Sequence, residues 1–446
     1  MKHSDIIKNQ LTSIIEEFAE HKDDYVYHPG VDFTRDRKLP LNKVIELLLS
    51  MKGNTLNKEL YEYFGRTPDD IVSSSAFVQQ RGKIKPELFS DLFARSNEVM
   101  DKYDTKTYKG YKLYAVDGSD INIAYDETAD TYWVPNNQGY KGCNQYHINA
   151  IYDVLNKVYK DVLLTPRPYY DERKDFIKML LQMNLTERTL FIADRGYPSW
   201  NIFTHFKYKE NADYLIRVKN NEMNITKDLP MTELDIDKNI IASTNQYDRN
   251  KDGYVIVYTR KGKQQNRQYK EKLVNKPKQW DFADKEELSF RIVRFPISDT
   301  TYETIFTSLP RDEFPISEIK KLYAMRWGIE TSFRELKYVI GLTNLHSKKD
   351  NFVRQEIYAK LTMYNFCERI IAAAVVEQDD GRKYKYQVNF TQAMHICLDF
   401  FRCHDDYYFD VYGLIAKYIL PIRPGRKDKR KLKAKTFIYF LYRVAA

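Results

Sequence analysis

The chain predicts a mixed α/β protein, with a sheet-forming middle between two helical regions. Apolar residues recur at helical spacing through the first hundred positions, give way near residue 108 to short β-rich runs, and return to helical spacing after Pro315. Within the middle the order β-β-β-α-β-α-β describes a mixed sheet whose first strands form a meander.

Ile6, Ile7, Leu11, Ile14, Ile15 and Phe18 mark a first helix. A second, Leu41 to Met51, stops at Gly53-Asn54, and Thr55 is placed to cap Leu56 to Phe64. Helix, Gly-containing turn and helix outline a helix-turn-helix, an outline that many helical hairpins share. A longer helix runs from Pro86 to about Tyr103. Lys112 to Val116 then reads as a strand closed at Asp117-Gly118-Ser119. Tyr146 to Val154 and Val158 to Leu164 form a hairpin around Leu155-Asn156-Lys157. Asp171 to Met183 is an amphipathic helix, and Thr189 to Ala193 a buried-type strand ending at Asp194-Arg195-Gly196-Tyr197. Pro198 to Tyr208 (helix) and Tyr214 to Val218 (strand) follow. Tyr254 to Thr259, Leu288 to Phe295 and Tyr302 to Thr307 are strands without a comparable helix between them, so 221–310 reads as a β-rich insertion. Pro315 and Ser317, the expected N-cap, open a long helix; another spans Phe352 to Val376, and an aromatic-rich segment, Phe390 to Leu420, precedes a basic tail. The expected divisions are 1–105, 106–220, 221–310, 311–380 and 381–446.

Composition narrows the class. Of the 446 residues 43% are hydrophobic and 30% charged, and Gly (16) and Pro (15) are too few for a low-complexity chain. The longest apolar run, Ile370 to Val376, is far short of the ~18 residues a membrane span needs. No signal-peptide pattern opens the chain, and four scattered cysteines make no disulfide framework, so a cytoplasmic protein is expected. The net charge of +9 is concentrated: residues 421–446 hold nine Lys/Arg, among them Arg426, Lys427, Lys429, Arg430 and Lys431, against Asp428 alone. Such a block is drawn to polyanions through counterion release.

The chemistry centres on Tyr323 to Lys337. At 100° per residue, Leu322, Met325, Ile329, Phe333, Leu336 and Ile340 fall in an arc of about 80°, a core stripe. Tyr323, Arg326, Glu330 and Lys337 fall in a separate arc of about 60°, so a phenol, a guanidinium, a carboxylate and an ammonium line up beside that stripe. Alone, this pattern also describes a solvated face with an Arg326–Glu330 pair. Two aspartates strengthen it: Asp117 and Asp194 each end a strand at a Gly-containing turn, where a carboxylate needs a cation or water. Asp120 and Asp153 are rivals for the same role. Carboxylates without His or Cys partners suit Mg²⁺ or Mn²⁺, and two such ions can clamp an in-line displacement at phosphorus. His395, Cys397, Cys403 and His404 lie close together, but their spacing matches no zinc-finger pattern and their neighbours read as a packed segment.

These residues resemble a known group, the bacterial insertion-sequence transposases of the DDE class, within insertion-sequence family four. Its Tyr-x2-Arg-x3-Glu-x6-Lys signature is matched at Tyr323, Arg326, Glu330 and Lys337. Asp117-Gly118-Ser119 resembles its first acidic motif and Asp194-Arg195-Gly196-Tyr197 its second. The resemblance covers roughly residues 110–345. It implies a ribonuclease H-like sheet with a β insertion before the catalytic Glu, and a helical DNA-binding region ahead of it. Asp117, Asp194 and Glu330 would hold two Mg²⁺ (or Mn²⁺) ions. Cleavage at the transposon end, through a DNA hairpin in related members, would be followed by strand transfer. Tyr323, Arg326 and Lys337 would grip the terminal phosphates and a displaced base, and Trp280 would stack on that base. The resemblance does not reach the last sixty residues, whose composition alone points to a dimerisation or DNA-contacting region. The partners implied are double-stranded inverted-repeat and target DNA and a second copy of the chain in the synapse. A domesticated DNA-binding derivative and a related nuclease are the alternatives.

Overall fold

The computed structural model describes residues 2–423 apart from 36, 66, 136–141, 220–222, 224, 228, 258–279, 283, 379–380, 382 and 404–408. Helices α1 (His3–Glu20), α2 (Lys22–Tyr25), α3 (Leu41–Ser50), α4 (Leu56–Phe64), α5 (Ser74–Arg81) and α6 (Glu87–Met100) come first. Strands β1 (Lys112–Ile123), β2 (Tyr132–Trp133), β3 (Cys143–Asp153) and β4 (Val158–Pro166) follow, then α7 (Glu172–Gln182), β5 (Thr189–Ala193), α8 (Trp200–Tyr208) and β6 (Ala212–Val218). Next come β7 (Leu234–Ser243), β8 (Tyr254–Ile256), β9 (Lys285–Pro296) and β10 (Tyr302–Thr307). The chain then forms α9 (Ile316–Met325), α10 (Trp327–Tyr338), α11 (Asp350–Ile371), β11 (Tyr386–Val388), α12 (Phe390–Arg402), α13 (Val411–Lys417) and β12 (Ile419–Pro421).

The mixed α/β class is what the structure has. One sheet runs β2-β3-β1-β5-β6-β10-β9-β7-β8, with β4 also paired to β3. β1 is antiparallel to β3 and β3 to β4, whereas β1, β5 and β6 are parallel to one another. Helices α7 and α8 make the crossovers that such parallel neighbours require. The strands between residues 234 and 307 do not build a sheet of their own: β10 pairs antiparallel with β6 and carries β9, β7 and β8 outward.

The helical regions close on a single core. α1 buries Ile7, Leu11, Ile14, Ile15 and Phe18 on one face, as its spacing dictates, and α3 and α6 pack beside it against α11. α11 is the hub, with 19 of its 22 residues buried. Each large apolar side chain so buried contributes about 1.5–3 kcal/mol.

Four local expectations change. β1 does not end at Asp117; it continues through Gly118 to Ile123 because β3 pairs with it along Tyr114 to Ile123. The helix expected to be continuous from residue 315 is broken at Arg326, which ends α9 and starts α10. Pro315, not Ser317, precedes its first turn. The break has a packing reason: α9 buries Ile319, Leu322 and Tyr323 against Leu113, Ile192 and Val293, while α10 buries Ile329, Phe333 and Leu336 in the α11 core. α11 stops at Ile371, five residues short of the expected end.

Candidate active site

Strand alternation sets the first two acids side by side. Leu113 and Ala115 of β1 face α9 and α10, and Leu190 and Ile192 of β5 face the same way. Asp117 and Asp194 continue those two rows. The parallel register pairs Val116 with Ala193, so the two aspartates stand one step further on, on strands about 4.8 Å apart. Each carboxylate accepts a hydrogen bond from the glycine after it: Asp117 Oδ1 from the Gly118 amide (2.9 Å), Asp194 Oδ1 from the Gly196 amide (2.6 Å).

Arg326, at the break between α9 and α10, brings in the third acid. Its Nη2 donates to Glu330 Oε1 at 2.6 Å and its Nη1 lies 3.5 Å from Asp117 Oδ2. The guanidinium is buried, while Glu330 remains 39% exposed. Burial works against the Arg326 charge, but the Glu330 hydrogen bond and the nearby Asp117 and Glu330 carboxylates raise its pKa on balance. Asp117 is the strained member. Desolvation pushes its carboxyl up to about 7, with the nearby Asp194 and Glu330 charges adding to the rise and the Gly118 amide and Arg326 opposing it. Thus Asp117 lies within the electrostatic field of the other two acids. Among the described residues, no three His, Cys, Asp or Glu side chains are arranged as a metal-ligand set.

Lys337, three turns along α10, reaches back to the same strand. Its Nζ donates to Ser119 Oγ (2.7 Å) and to the Asp120 carbonyl (2.8 Å), and burial lowers its pKa. Tyr323 is buried among Leu113, Ile192 and Leu322, its ring centroid 5.9 Å from the Arg326 guanidinium. Burial raises its phenol pKa. Of the four residues of the sequence pattern, Arg326 contacts Asp117 and Glu330, Lys337 holds the strand just past Asp117, and Tyr323 lies in the core.

Asp153 and Asp120 are placed elsewhere. The buried Asp153 carboxylate accepts from the Leu155 and Asn156 amides (3.0 Å each) and from Asn156 Nδ2 (2.7 Å), which makes it the organiser of the β3–β4 turn. Asp120 points to the opposite face of the sheet, to His147 Nδ1 at 2.8 Å. Trp280 packs with Phe282, ring centroids 5.7 Å apart, against the core on the α7–α8 side, and no described contact joins it to the acids. Arg426, Lys427, Lys429, Arg430, Lys431 and His404 lie outside the described residues. Cys397 is buried in the core as a packing residue.

Two features escaped the sequence. Trp327 is 55% exposed beside Arg326, its ring centroid 5.1 Å from the guanidinium; its position directly after Arg326 was the available signal. The ionic group behind Gly118 (His147, Glu172 and Asp120) brings together residues from three elements and left no local pattern.

The family model described as "Transposase DDE domain" matches residues 108–366, more than half of the chain. The transposase for insertion sequence element IS421 of Escherichia coli is 35% identical over 57 residues, and so is InsL of insertion sequence element IS186A from Escherichia coli (strain K12). Those matches cover 13% of this chain and 15% of each relative, so the chain spans under a sixth of the length of these relatives. A cryo-EM structure of the piggyBac transposase synaptic complex with hairpin DNA superposes on 96% of this chain and 87% of its own, with 10% identity and a TM-score of 0.46. On the extent of the family match, the chain belongs to the transposase DDE domain family.

Proposed function

We propose that the protein is a DNA transposase of insertion-sequence family four, which cuts at the ends of its element and joins them to target DNA. Arg326 pairing with both Asp117 and Glu330, with Asp194 near enough to raise the Asp117 pKa, supports this reading. The order β4-β3-β1-β5-β6, three antiparallel strands followed by two parallel to β1, supports a ribonuclease H-like core.

The donor set fits a hard divalent cation: three carboxylates without His or Cys, one of them with a burial cost that positive charge relieves. Asp117, Asp194 and Glu330 would hold Mg²⁺ or Mn²⁺, two ions by the family likeness, which when bound supply an activated oxygen nucleophile and a stabilised leaving oxygen. Arg326 keeps Asp117 and Glu330 together until then, and its fork can pass to a DNA phosphate. Lys337 offers a point charge to the neighbouring phosphate, and the exposed Trp327 or Trp280 an aromatic face to an unstacked base. The basic tail adds affinity for the DNA backbone. Two ends have to be processed together, so the working form is a dimer on DNA, with a hairpin intermediate by the same likeness.

The test is cleavage of labelled element-end DNA by the full chain in Mg²⁺. Asp194→Asn and Glu330→Gln are expected to abolish cutting and leave end binding within about threefold. Either variant cutting at near wild-type rate would overturn the assignment.

A further inference from the structure

The two glycines that follow the two aspartates share a neighbour. A Cβ on Gly118 would lie 2.9 Å from Glu172 Oε1 and 2.4 Å from His147 Nε2. A Cβ on Gly196 would lie 3.3 Å from Glu172 Oε2 and 3.0 Å from Asp194 Oδ1. The Glu172 carboxylate therefore borders both missing side chains, one oxygen toward each motif, sharing the space at Gly118 with the His147 ring and at Gly196 with Asp194 Oδ1. Neither glycine has the positive φ that would demand glycine for backbone reasons, so close approach by these side chains is what they provide.

Glu172 is held from several sides. It opens α7, and its carbonyl accepts from Asn149 Nδ2 (2.9 Å), whose Oδ1 accepts from the Tyr197 hydroxyl (2.9 Å). The adjoining Arg173 donates through Nε to the Gly196 carbonyl at 2.8 Å. Beneath the carboxylate lies His147, its side chain only 5% exposed. Its Nδ1 is 2.8 Å from Asp120 Oδ1, and its Nε2 faces Glu172 Oε1 at 3.3 Å. Lys337 grips the Asp120 carbonyl from the opposite face of the sheet.

The geometry points to Glu172 as a positioning residue of the active site: its carboxylate, propped by His147, fixes the strand carrying Asp117 against the turn carrying Asp194. This rests on the proposed function, since what it positions are two of the acids assigned to the divalent ion. Groups that orient metal-ligating carboxylates typically change metal affinity by about 10–100-fold when removed.

The experiment compares wild type, Glu172→Gln, Glu172→Asp and His147→Gln as full chains. It reads Mn²⁺ affinity of the DNA-free protein by electron paramagnetic resonance, single-turnover cleavage on saturating end DNA, end-DNA affinity and thermal melting. Glu172→Gln is expected to weaken Mn²⁺ binding about tenfold and slow cleavage by at least as much. End-DNA affinity should stay within twofold and melting within a few degrees. Glu172→Asp should recover part of both losses, and His147→Gln should add little to Glu172→Gln in the double variant. A folded Glu172→Gln protein with wild-type Mn²⁺ affinity and rate would overturn this inference alone. Wild type that neither binds Mn²⁺ nor cuts would remove the proposed function and this with it.

Discussion

Around Arg81 and beside Arg326 the protein buries charge in opposite ways. The buried Arg81 places Nη1 2.8 Å from Glu356 Oε1, Nε 2.8 Å from Gln355 Oε1 and Nη2 2.6 Å from the Phe352 carbonyl. Glu356 also accepts from the His346 amide at 2.8 Å. Although burial opposes it, Arg81 and His346 hold the Glu356 carboxyl well below its usual range. Beside Arg326 one buried cation faces two acids, Asp117 and Glu330, with the Asp194 charge also acting on Asp117, and Asp117 is pushed the other way. A matched, hydrogen-bonded pair fixes packing, whereas acids that outnumber their cation carry an electrostatic cost.

The contrast can be broken most forcefully at Arg81. Arg81→Met strands Glu356 in the interior and should cost about 3–5 kcal/mol in urea unfolding. Lys337→Ala comes next: end cleavage should fall about 10–100-fold, roughly 1.4–2.7 kcal/mol in the barrier, while nonspecific DNA binding falls less than threefold. Asp117→Asn sharpens the comparison because it should stabilise the metal-free protein at pH 8, by about 1–3 kcal/mol, while removing activity. The sign follows from a folded pKa raised to about 7: protonation favours the folded state fully below the ordinary carboxyl value, and that gain is lost as pH rises through 7. The advantage of the variant should therefore shrink on acidification to pH 5, as read by melting in EDTA. Smallest is Arg354→Ala, which removes an exposed pair with Glu87 and should change stability by less than about 0.5 kcal/mol.

Much of this was legible in the chain. The period-two and helical runs placed most strands and helices within a few residues, because each element buries one face. Asp117 and Asp194 could be named because a carboxylate at a glycine-containing strand end is conspicuous, and Arg326, Glu330 and Lys337 because they share one helical arc and match a family signature. What hid was non-local. Gly118 looked like a turn, and only pairing with β3 shows it to be mid-strand. Tyr323 fell on the polar arc of an unbroken helix, and the break at Arg326 depends on two cores that periodicity cannot distinguish. Glu172 and His147 meet beneath that glycine from α7 and β3, and no spacing along the chain announces the meeting.

The position of α11 bears on how the protein is made. Its residues 350–371 complete the core that α1, α3 and α6 begin, so roughly three hundred residues must leave the ribosome before the opening helices find their permanent neighbour. Closing so long a loop is slow. Until then α1 packs beside α3 and α6, and the faces that α11 covers stay bare to water. A chain that ends ahead of residue 350 lacks the helix that closes its core.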